Sequence, residues 1–266
     1  MNSIWHNNAL KDKNTPIITV SGRALRGDGV FDTALAINGK ICNAHAHFTR
    51  LIDSAAILEI KITYSAHDLI EAAQDLLQEN DLDNARCAIN TTITRGNGAR
   101  GLSIAKDFQP HVIIRTAALP DEFSPINAII SKTVRRNEGS PLSQIKSINY
   151  GDNIMAMIEA EKAGANEAIM LNNAGNVACA TIGNIFIMRG GHLYTPPLSD
   201  GAMAGTVRDL LIQRHGAQEQ SLRSEDLTAA DGIYITNSIR GIAAITSLND
   251  AETSAANLDI PKDVHE

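Results

Sequence analysis

One residue that could do chemistry is Cys179, which lies in the middle of the stretch G-N-V-A-C-A-T-I-G-N-I-F (175–186). This stretch is typical of a hairpin turn, a short strand, and a Gly-Asn loop that leads into a second strand. Three interpretations are open: a packed core thiol, a reactive thiol, or a substitute for a residue that the chemistry normally uses. Nothing nearby in the sequence would lower the thiol pKa, so we do not expect a nucleophile.

The other candidates carry weak signals when each is taken alone. Lys146 offers an amine in a loop, Arg50 offers a guanidinium on a helix, and Gly205-Thr206 precedes a helix. Such residues are usually a solvated lysine, a surface charge and a simple helix cap. Their order and spacing are more specific, because they belong to seven successive motifs. These are G-D-G-x-F-x-T (27–33), H-F-x-R-L (47–51), K-S-x-N-Y (146–150), G-A-x-E-A (164–168), G-x-V-x-C-x-T-x-x-N-x-F (175–186), T-P-P (195–197) and G-x-x-x-G-x-x-R (201–208).

Composition excludes several classes of protein. The chain has 266 residues, 44% of them apolar and 20% charged, which is ordinary for a globular protein with a buried core. Its net charge of -7 argues against nucleic acid or an anionic membrane as a partner. No pattern predicts a signal peptide or a membrane helix. The three cysteines lack C-x-x-C spacing, so we expect neither disulfides nor a metal site. We therefore expect the protein in the reducing cytoplasm.

Local patterns in the first half predict the elements that position Arg50. A short strand is expected at 17–20, and a later strand ends at the hairpin signal Asn38-Gly39. Asn43 is a candidate helix N-cap, and Ser65-x-x-Asp68 is a capping-box variant that opens a second helix. Three strands are predicted at 86–94, 111–117 and 126–134. The buried face of the first helix is expected to carry Phe48, Leu51, Ile52, Ala55 and Leu58.

The second half predicts a helix at 152–162 and then short strands separated by Asn-Ala-Gly and Arg-Gly-Gly turns. Apolar residues at helical spacing, Ile154, Met155, Ile158 and Ala163, are expected to form the buried face of that helix. A further helix begins after Gly205. The fold class is therefore α+β. We divide it into a smaller domain at 1–119, a linker at 120–125 and a larger, strand-rich domain at 126–266 that contains Lys146.

The ordered motifs resemble those of the class IV aminotransferases, the fold-type IV enzymes that use pyridoxal 5'-phosphate. The resemblance extends from about residue 20 to residue 245 and is closest to aminodeoxychorismate lyase-like members. It implies a two-domain fold similar to D-amino acid aminotransferase, with the cofactor in the cleft between the domains. It also implies a homodimer that acts on a small, amino-acid-like substrate.

The resemblance implies roles for the residues that match the motifs. Lys146 would form the Schiff base with the cofactor and then act as the general base that moves the α-proton. Arg50 would grip the phosphate with its guanidinium fork. Tyr150 could reach the phenolic oxygen, although a packed tyrosine is an equally good account. Backbone N–H groups would complete the phosphate site, namely those of Ile182, Gly183, Thr206 and Val207. The last two residues open a helix, whose dipole also favours an anion.

Most relatives have a glutamate at the position of Cys179, where it bonds the pyridine nitrogen of the cofactor. A neutral thiol cannot stabilise a protonated ring in the same way. Cys179 is therefore a weak ring partner, a sign of a slower or different reaction, or the mark of a catalytically weak relative. These three alternatives stay open at this point.

Substrate recognition is expected at three further residues. Thr33 is a candidate substrate contact, and Arg100 and Arg240 could attract a dicarboxylate, although either arginine could equally be structural. The loop R-G-x-G-x-R-G (95–101) lacks the Arg-x-His of D-amino acid aminotransferases and resembles the lyases. The leading prediction is a lyase that converts 4-amino-4-deoxychorismate to 4-aminobenzoate and pyruvate, in folate biosynthesis. The alternatives are an aminotransferase for D- or branched-chain amino acids and a cofactor-binding protein with little turnover.

Overall fold

The computed structural model describes residues 3–98, 101–104, 107–120 and 122–254. The chain divides into two compact units. The first contains the described residues up to 120 together with Lys146–Asn149, and the second contains the rest from Glu122 onward. Both units combine helices with a β-sheet, so the α+β prediction is confirmed. No helix in the described ranges is long and apolar enough to cross a membrane.

A six-stranded antiparallel sheet forms the centre of the first unit, in the order β2-β1-β6-β5-β3-β4. The hairpin turn predicted at Asn38-Gly39 is confirmed. It joins β3 to β4, and both of its residues have positive φ. The bounds of the strands are Ser3–His6 for β1, Ala9–Asp12 for β2, Gly29–Ile37 for β3, Lys40–Ile41 for β4, Arg86–Thr94 for β5 and His111–Ala118 for β6.

Two helices pack on this sheet, α1 at Ala44–Ile57 and α2 at Ala66–Glu79. The capping box at the start of α2 is confirmed, since Ser65 and Asp68 exchange hydrogen bonds. Asn43 precedes α1 but makes no side-chain cap hydrogen bond. The predicted strand at 17–20 is wrong: these residues lie outside any strand, and Val20 is fully exposed. β-Branched residues favour a strand only where a neighbouring strand can pair with them.

A short segment from the middle of the chain belongs to the first unit. The Phe31 N–H donates to the carbonyl of Lys146 (2.8 Å), and the Ile148 N–H donates to the carbonyl of Gly29 (3.0 Å). Ser147 forms an isolated bridge with Val30. These bonds fix Lys146 beside β3, whereas the sequence patterns assign this segment to the second domain. The remaining boundaries of the predicted domains stay a prediction.

The second unit is built on a nine-stranded mixed sheet with the order β12-β11-β10-β13-β14-β7-β8-β9, and β15 pairs with β14. Parallel pairs join β7 to β8 and to β14. The bounds of the strands are Ile126–Arg136 for β7, Glu167–Asn172 for β8, Val177–Ala180 for β9, Asn184–Arg189 for β10, His192–Thr195 for β11, Gln218–Glu219 for β12, Gly232–Asn237 for β13, Gly241–Leu248 for β14 and Ala251–Glu252 for β15.

The helices of the second unit are α3 at Pro141–Gln144, α4 at Gly151–Lys162, α5 at Thr206–His215 and α6 at Ser224–Thr228. The predicted buried face of α4 is wrong, because Ile154, Met155 and Ile158 are 57%, 54% and 37% exposed. The helix instead buries the small residues Ala156 and Ala160 against β7 and β8. Small side chains let a helix approach a sheet closely, and the apolar residues are then left on the outer side.

Candidate functional site

Arg50 lies in a buried polar cluster with Asp32 and His47. The motif H-F-x-R-L places His47 and Arg50 one turn apart on α1, facing Asp32 of β3. Arg50 donates from Nε to Oδ2 of Asp32 (2.8 Å) and from Nη2 to Oδ1 (2.9 Å). Nδ1 of His47 lies 2.8 Å from the same Oδ1. Asp32 and His47 are 3% and 2% exposed, so this is a buried ion pair and not a surface contact.

The carboxyl of Asp32 is held in its charged form. Burial alone would raise its pKa, but the charge of Arg50, the hydrogen bond and charge of His47, and the charge of Lys146 together lower the pKa to about 2. The Nε and Nη2 groups of Arg50 are therefore engaged with a carboxylate inside the protein. The predicted contact of Arg50 with a phosphate stays a prediction.

Lys146 is half-buried beside β3 in the same unit. Its Nζ lies 4.4 Å from the centre of the Phe31 ring, a cation–π distance. Its backbone carbonyl accepts from the Phe31 N–H. Phe31 therefore contacts Lys146 both through its ring and through its backbone N–H.

Thr33 follows Asp32 directly in β3. Its N–H donates to Oδ1 of Asp32 (2.7 Å), and its hydroxyl accepts from Nδ2 of Asn90 on β5 (3.0 Å). Asn90 also accepts from Arg115 of β6 (2.7 Å). Thr33 thus belongs to a polar network across three neighbouring strands, and its predicted contact with substrate stays a prediction.

The start of α5 carries the candidate anion site of the second unit. The N-cap residue is Gly205. It has no side chain that could accept a hydrogen bond from the N–H groups of the first turn, such as those of Thr206 and Val207. Those amides and the helix dipole favour an anion. The backbone here is tightly packed: a Cβ added to Gly205 would lie 2.2 Å from Oδ1 of Asn184.

Ile182 and Gly183 lie between β9 and β10, two short strands of the same unit. Ile182 is 49% exposed, and its carbonyl accepts from Nδ2 of Asn237 (3.4 Å). Gly183 tolerates no side chain, since an added Cβ would lie 2.5 Å from the carbonyl oxygen of Thr236. The glycine therefore lets this loop lie directly against β13.

Cys179 is buried in β9, at 8% exposure, and is a free thiol. It packs in an apolar cluster with residues that include Met170 and Ala156. Burial raises the pKa of the Cys179 thiol; the charge of Arg136 opposes this and the carboxyl of Glu167 adds to it. A raised pKa holds the thiol in its neutral form, which argues against the reactive-thiol interpretation.

The other predicted residues have more structural surroundings. Tyr150 is half-buried and is the residue that precedes α4. Arg240 donates from Nη1 to the carbonyl of Ser124 (3.0 Å), and its guanidinium lies 4.7 Å from the Phe123 ring. These bonds support a structural role for Arg240. The predicted substrate residue Arg100 lies outside the described residues.

Comparison with known proteins identifies the family. The family described as amino-transferase class IV matches residues 29–248. A provisionally named branched-chain-amino-acid aminotransferase of Methanocaldococcus jannaschii is 32% identical, over 90% of this chain and 84% of the relative. This chain belongs to the class IV aminotransferases. An aminodeoxychorismate lyase of Bacillus subtilis is 27% identical, over 91% of this chain and 84% of the relative.

The fold is that of the solved class IV enzymes. The branched-chain aminotransferase of Thermoproteus uzoniensis, solved with norvaline, has a TM-score of 0.89 and 27% identity, covering 97% of this chain and 90% of that chain. The predicted fold-type IV architecture is therefore confirmed. Class IV aminotransferases use pyridoxal phosphate, so the cofactor prediction is confirmed as well.

The chemistry of the donor groups in this class IV chain fits most of that cofactor. The amine of Lys146 suits an aldehyde, while the guanidinium of Arg50 and the first-turn amides of α5 suit a phosphate dianion. The neutral thiol of Cys179 is the exception, because it offers no charge to a ring nitrogen. Which residue contacts which group of the cofactor stays a prediction.

Several polar residues of this site were missed from the sequence. Asp32 and His47 stand inside quoted motifs, and the signal for Asp32 was a charged residue within the apolar strand V-F-D-T-A-L-A-I. Glu167 of β8 is another: it is 2% exposed, and its Oε1 accepts from the N–H groups of Ala168 (2.8 Å) and Thr181 (2.9 Å) and from the Thr181 hydroxyl. Burial raises the pKa of Glu167 despite these hydrogen bonds.

Proposed function

We propose that this chain is a pyridoxal-phosphate lyase that converts 4-amino-4-deoxychorismate to 4-aminobenzoate and pyruvate. The observation that carries the proposal is the neutral, buried thiol of Cys179. The Bacillus subtilis relative, named as an aminodeoxychorismate lyase, gives independent support.

The chemical reason is the driving force of this elimination. Bound pyridoxal phosphate would withdraw electrons from the carbon that carries the substrate amine and so acidify its proton. Loss of that proton and of the neighbouring enolpyruvyl oxygen leaves an aromatic ring, and the released enolpyruvate takes a proton to become pyruvate. Because aromatisation supplies much of the driving force, this reaction tolerates a weaker electron-withdrawing site than transamination does.

The proposal gives each group of residues a defined role. Lys146 would bind the cofactor aldehyde through Nζ and, once the substrate amine has displaced it, carry the proton of the amine-bearing carbon. Arg50, held by Asp32, and the amides at Ile182, Gly183, Thr206 and Val207 would hold the phosphate.

An aminotransferase is the second candidate, and the 32% identity to the Methanocaldococcus jannaschii relative favours it. One experiment separates the two. The purified protein is given aminodeoxychorismate alone, and separately D-alanine or L-leucine with 2-oxoglutarate. The lyase predicts 4-aminobenzoate and pyruvate without any added keto acid. Glutamate from either amino acid, with no 4-aminobenzoate from the first incubation, would refute the lyase in favour of the aminotransferase.

We also propose that the chain is a homodimer, as the family resemblance implies. The apolar face of α4, formed by Ile154, Met155 and Ile158, is exposed in the single chain and is a suitable surface for a second copy. Light scattering at micromolar concentration tests this, and a monomer would contradict it.

A further inference from the structure

One face of the first-unit sheet carries polar side chains beside Lys146. Phe31 and Thr33 are two residues apart in β3, so their side chains point to the same face. Thr33 pairs with Asn90 of β5, and Asn90 pairs with Arg115 of β6. Directly paired residues of antiparallel strands also share a face. The nitrogen of Lys146 belongs to this face as well, since it lies 4.4 Å from the centre of the Phe31 ring.

The partners of the Asn90 amide fix its orientation. Nδ2 donates to the carbonyl of Asp32 (3.4 Å) and to the Thr33 hydroxyl (3.0 Å). Oδ1 accepts from Nη2 of Arg115 (2.7 Å) and from the Thr92 hydroxyl (3.3 Å). A backbone carbonyl can only accept and a guanidinium can only donate, so the amide cannot turn over without losing both bonds. Asn90 therefore anchors the Arg115 guanidinium above β5.

Arg115 has further donors for a ligand. Its side chain is exposed, and among the residues that the structure describes its guanidinium donates only to Asn90. A guanidinium has five N–H groups in a planar fork that matches the geometry of a carboxylate. Because the bond to Asn90 already holds this side chain, less conformational freedom is lost when an anion binds.

The separation between the Lys146 nitrogen and this guanidinium suits one class of substrate. The two groups lie over Phe31 and Asn90, which are one strand apart across the sheet and two residues apart along it, a distance of about 8 Å. An amine and a carboxylate at opposite ends of a six-membered ring span roughly 9 Å once the hydrogen bond to the carboxylate is included. In an α-amino acid the same span is only about 5 Å.

We propose that Arg115 binds the carboxylate that lies across the ring from the amine in 4-amino-4-deoxychorismate, and that Asn90 positions Arg115 for this contact. The inference rests on the proposed lyase reaction and on the role proposed for Lys146. It assigns substrate specificity to a residue of β6 that none of the seven sequence motifs contains. The product 4-aminobenzoate keeps the same amine and carboxylate, so it binds through the same contact.

The test compares the binding of 4-aminobenzoate and of 4-aminobenzamide, its uncharged analogue, to the cofactor-loaded protein by titration calorimetry. The wild type should bind the carboxylate about tenfold more tightly than the amide, and Arg115→Gln should bind both equally. Lys40→Gln is the matched control and should keep the preference. Lys40 pairs with Ile37, so it is an exposed cation on the same face, four residues further along β3 than Thr33.

Two further measurements separate contact with the ligand from a structural effect. Asn90→Asp places a carboxylate beside Arg115 and should abolish the preference without removing the guanidinium. Arg115→Gln should also raise the KM for aminodeoxychorismate about tenfold with little change in kcat, because the ring carboxylate meets Arg115 equally in the ground state and the transition state.

A wild type that binds the two ligands equally would overturn the proposal, as would an Arg115→Gln protein that keeps the preference or a Lys40→Gln protein that loses it to the same extent. Failure of the proposed function looks different. A wild type that binds 4-aminobenzoate but forms none from aminodeoxychorismate would refute the lyase, whereas the titrations, which need no turnover, would still decide the role of Arg115.

Discussion

Substitution of Gly205 by alanine tests whether the start of α5 is an anion site that depends on close packing. Gly205 has φ of -78°, which any residue adopts, so alanine introduces no backbone strain. The new Cβ would instead lie 2.2 Å from Oδ1 of Asn184, a separation that requires movement. Asn184 is buried and donates from Nδ2 to the carbonyl of Met203 (2.8 Å).

The size of the effect follows from those contacts. If the Asn184 side chain turns away, a buried hydrogen bond is lost and its partner is left unsatisfied, which costs about 1–3 kcal/mol. Alanine is also a poorer N-cap than glycine, by roughly 1 kcal/mol. If Asn184 stays, the first turn of α5 must move and the amides of Thr206 and Val207 shift with it. We therefore expect a loss of about 2–4 kcal/mol in the free energy of unfolding and about a tenfold weaker affinity for pyridoxal phosphate.

Gly151→Ala is the matched control. Gly151 is the first residue of α4, its φ is not positive, and an added Cβ would meet nothing within 4 Å. Alanine should stabilise the protein there by about 0.5–1 kcal/mol. Urea unfolding gives the stabilities, and cofactor fluorescence gives the affinities for pyridoxal phosphate and for pyridoxal, which lacks the phosphate. A Gly205→Ala protein that matches the wild type in stability and phosphate-dependent affinity would refute this reasoning.

Three further predictions follow from other parts of the second unit. Burial would raise the pKa of Glu159, but hydrogen bonds from Thr133, Lys132 and Ser131 outweigh it and lower the pKa to about 2. The ionised Glu159 carboxylate therefore stabilises the fold fully above about pH 4.5, and this stabilisation is lost as the pH falls toward 2. Glu159→Gln should accordingly flatten the acid limb of urea-unfolding stability against pH, and an unchanged limb would argue against those bonds. Cys179→Glu should raise turnover in a reaction limited by α-proton loss, by up to about 100-fold, whereas Cys179→Ser should change little; a dead serine variant would show that the thiol itself takes part. Met155→Asp should shift a dimer toward monomer in light scattering, with Glu161→Gln on the same helix as the control, and an unaffected dimer would place the interface elsewhere.

Local signals predicted the local structure well. The capping box of α2 and the Asn38-Gly39 turn depend on contacts within four residues, and both are present. The strand predicted at 17–20 failed for the opposite reason, since strand formation depends on a partner that the sequence does not identify. The structure forms β1 and β2 near the start of the chain instead. The prediction of a buried apolar face on α4 failed for a similar reason. Periodicity shows which residues share a face of a helix, but not which part of the protein packs against that face.

Within the candidate site, the motifs predicted which residues take part, and the structure supplied the contacts between them. The phosphate role of Arg50 was inferred from a motif, yet its partner Asp32 is 18 residues away and meets it only because α1 packs on β3. The same holds for Lys146, which joins the first unit through backbone bonds to Phe31 and Gly29 that no spacing rule predicts. A charged residue inside an apolar strand is the general signal for such partners, since burying an unpaired charge is costly.

The surroundings of Cys179 bear on the reaction more than the thiol alone does. Arg136 lies close enough to act on the thiol pKa, and its guanidinium donates to the backbone carbonyls of Ser143 (2.7 Å) and Gly201 (3.3 Å). Glu167 is a nearby carboxyl whose pKa is raised by burial, and its charge adds to the raised pKa of the Cys179 thiol. If position 179 meets the ring nitrogen, as the family resemblance implies, the neutral thiol does not stabilise a proton there and a nearby guanidinium disfavours one. Such a site is poorly suited to reactions that depend wholly on a charged ring, and better suited to one that gains an aromatic product.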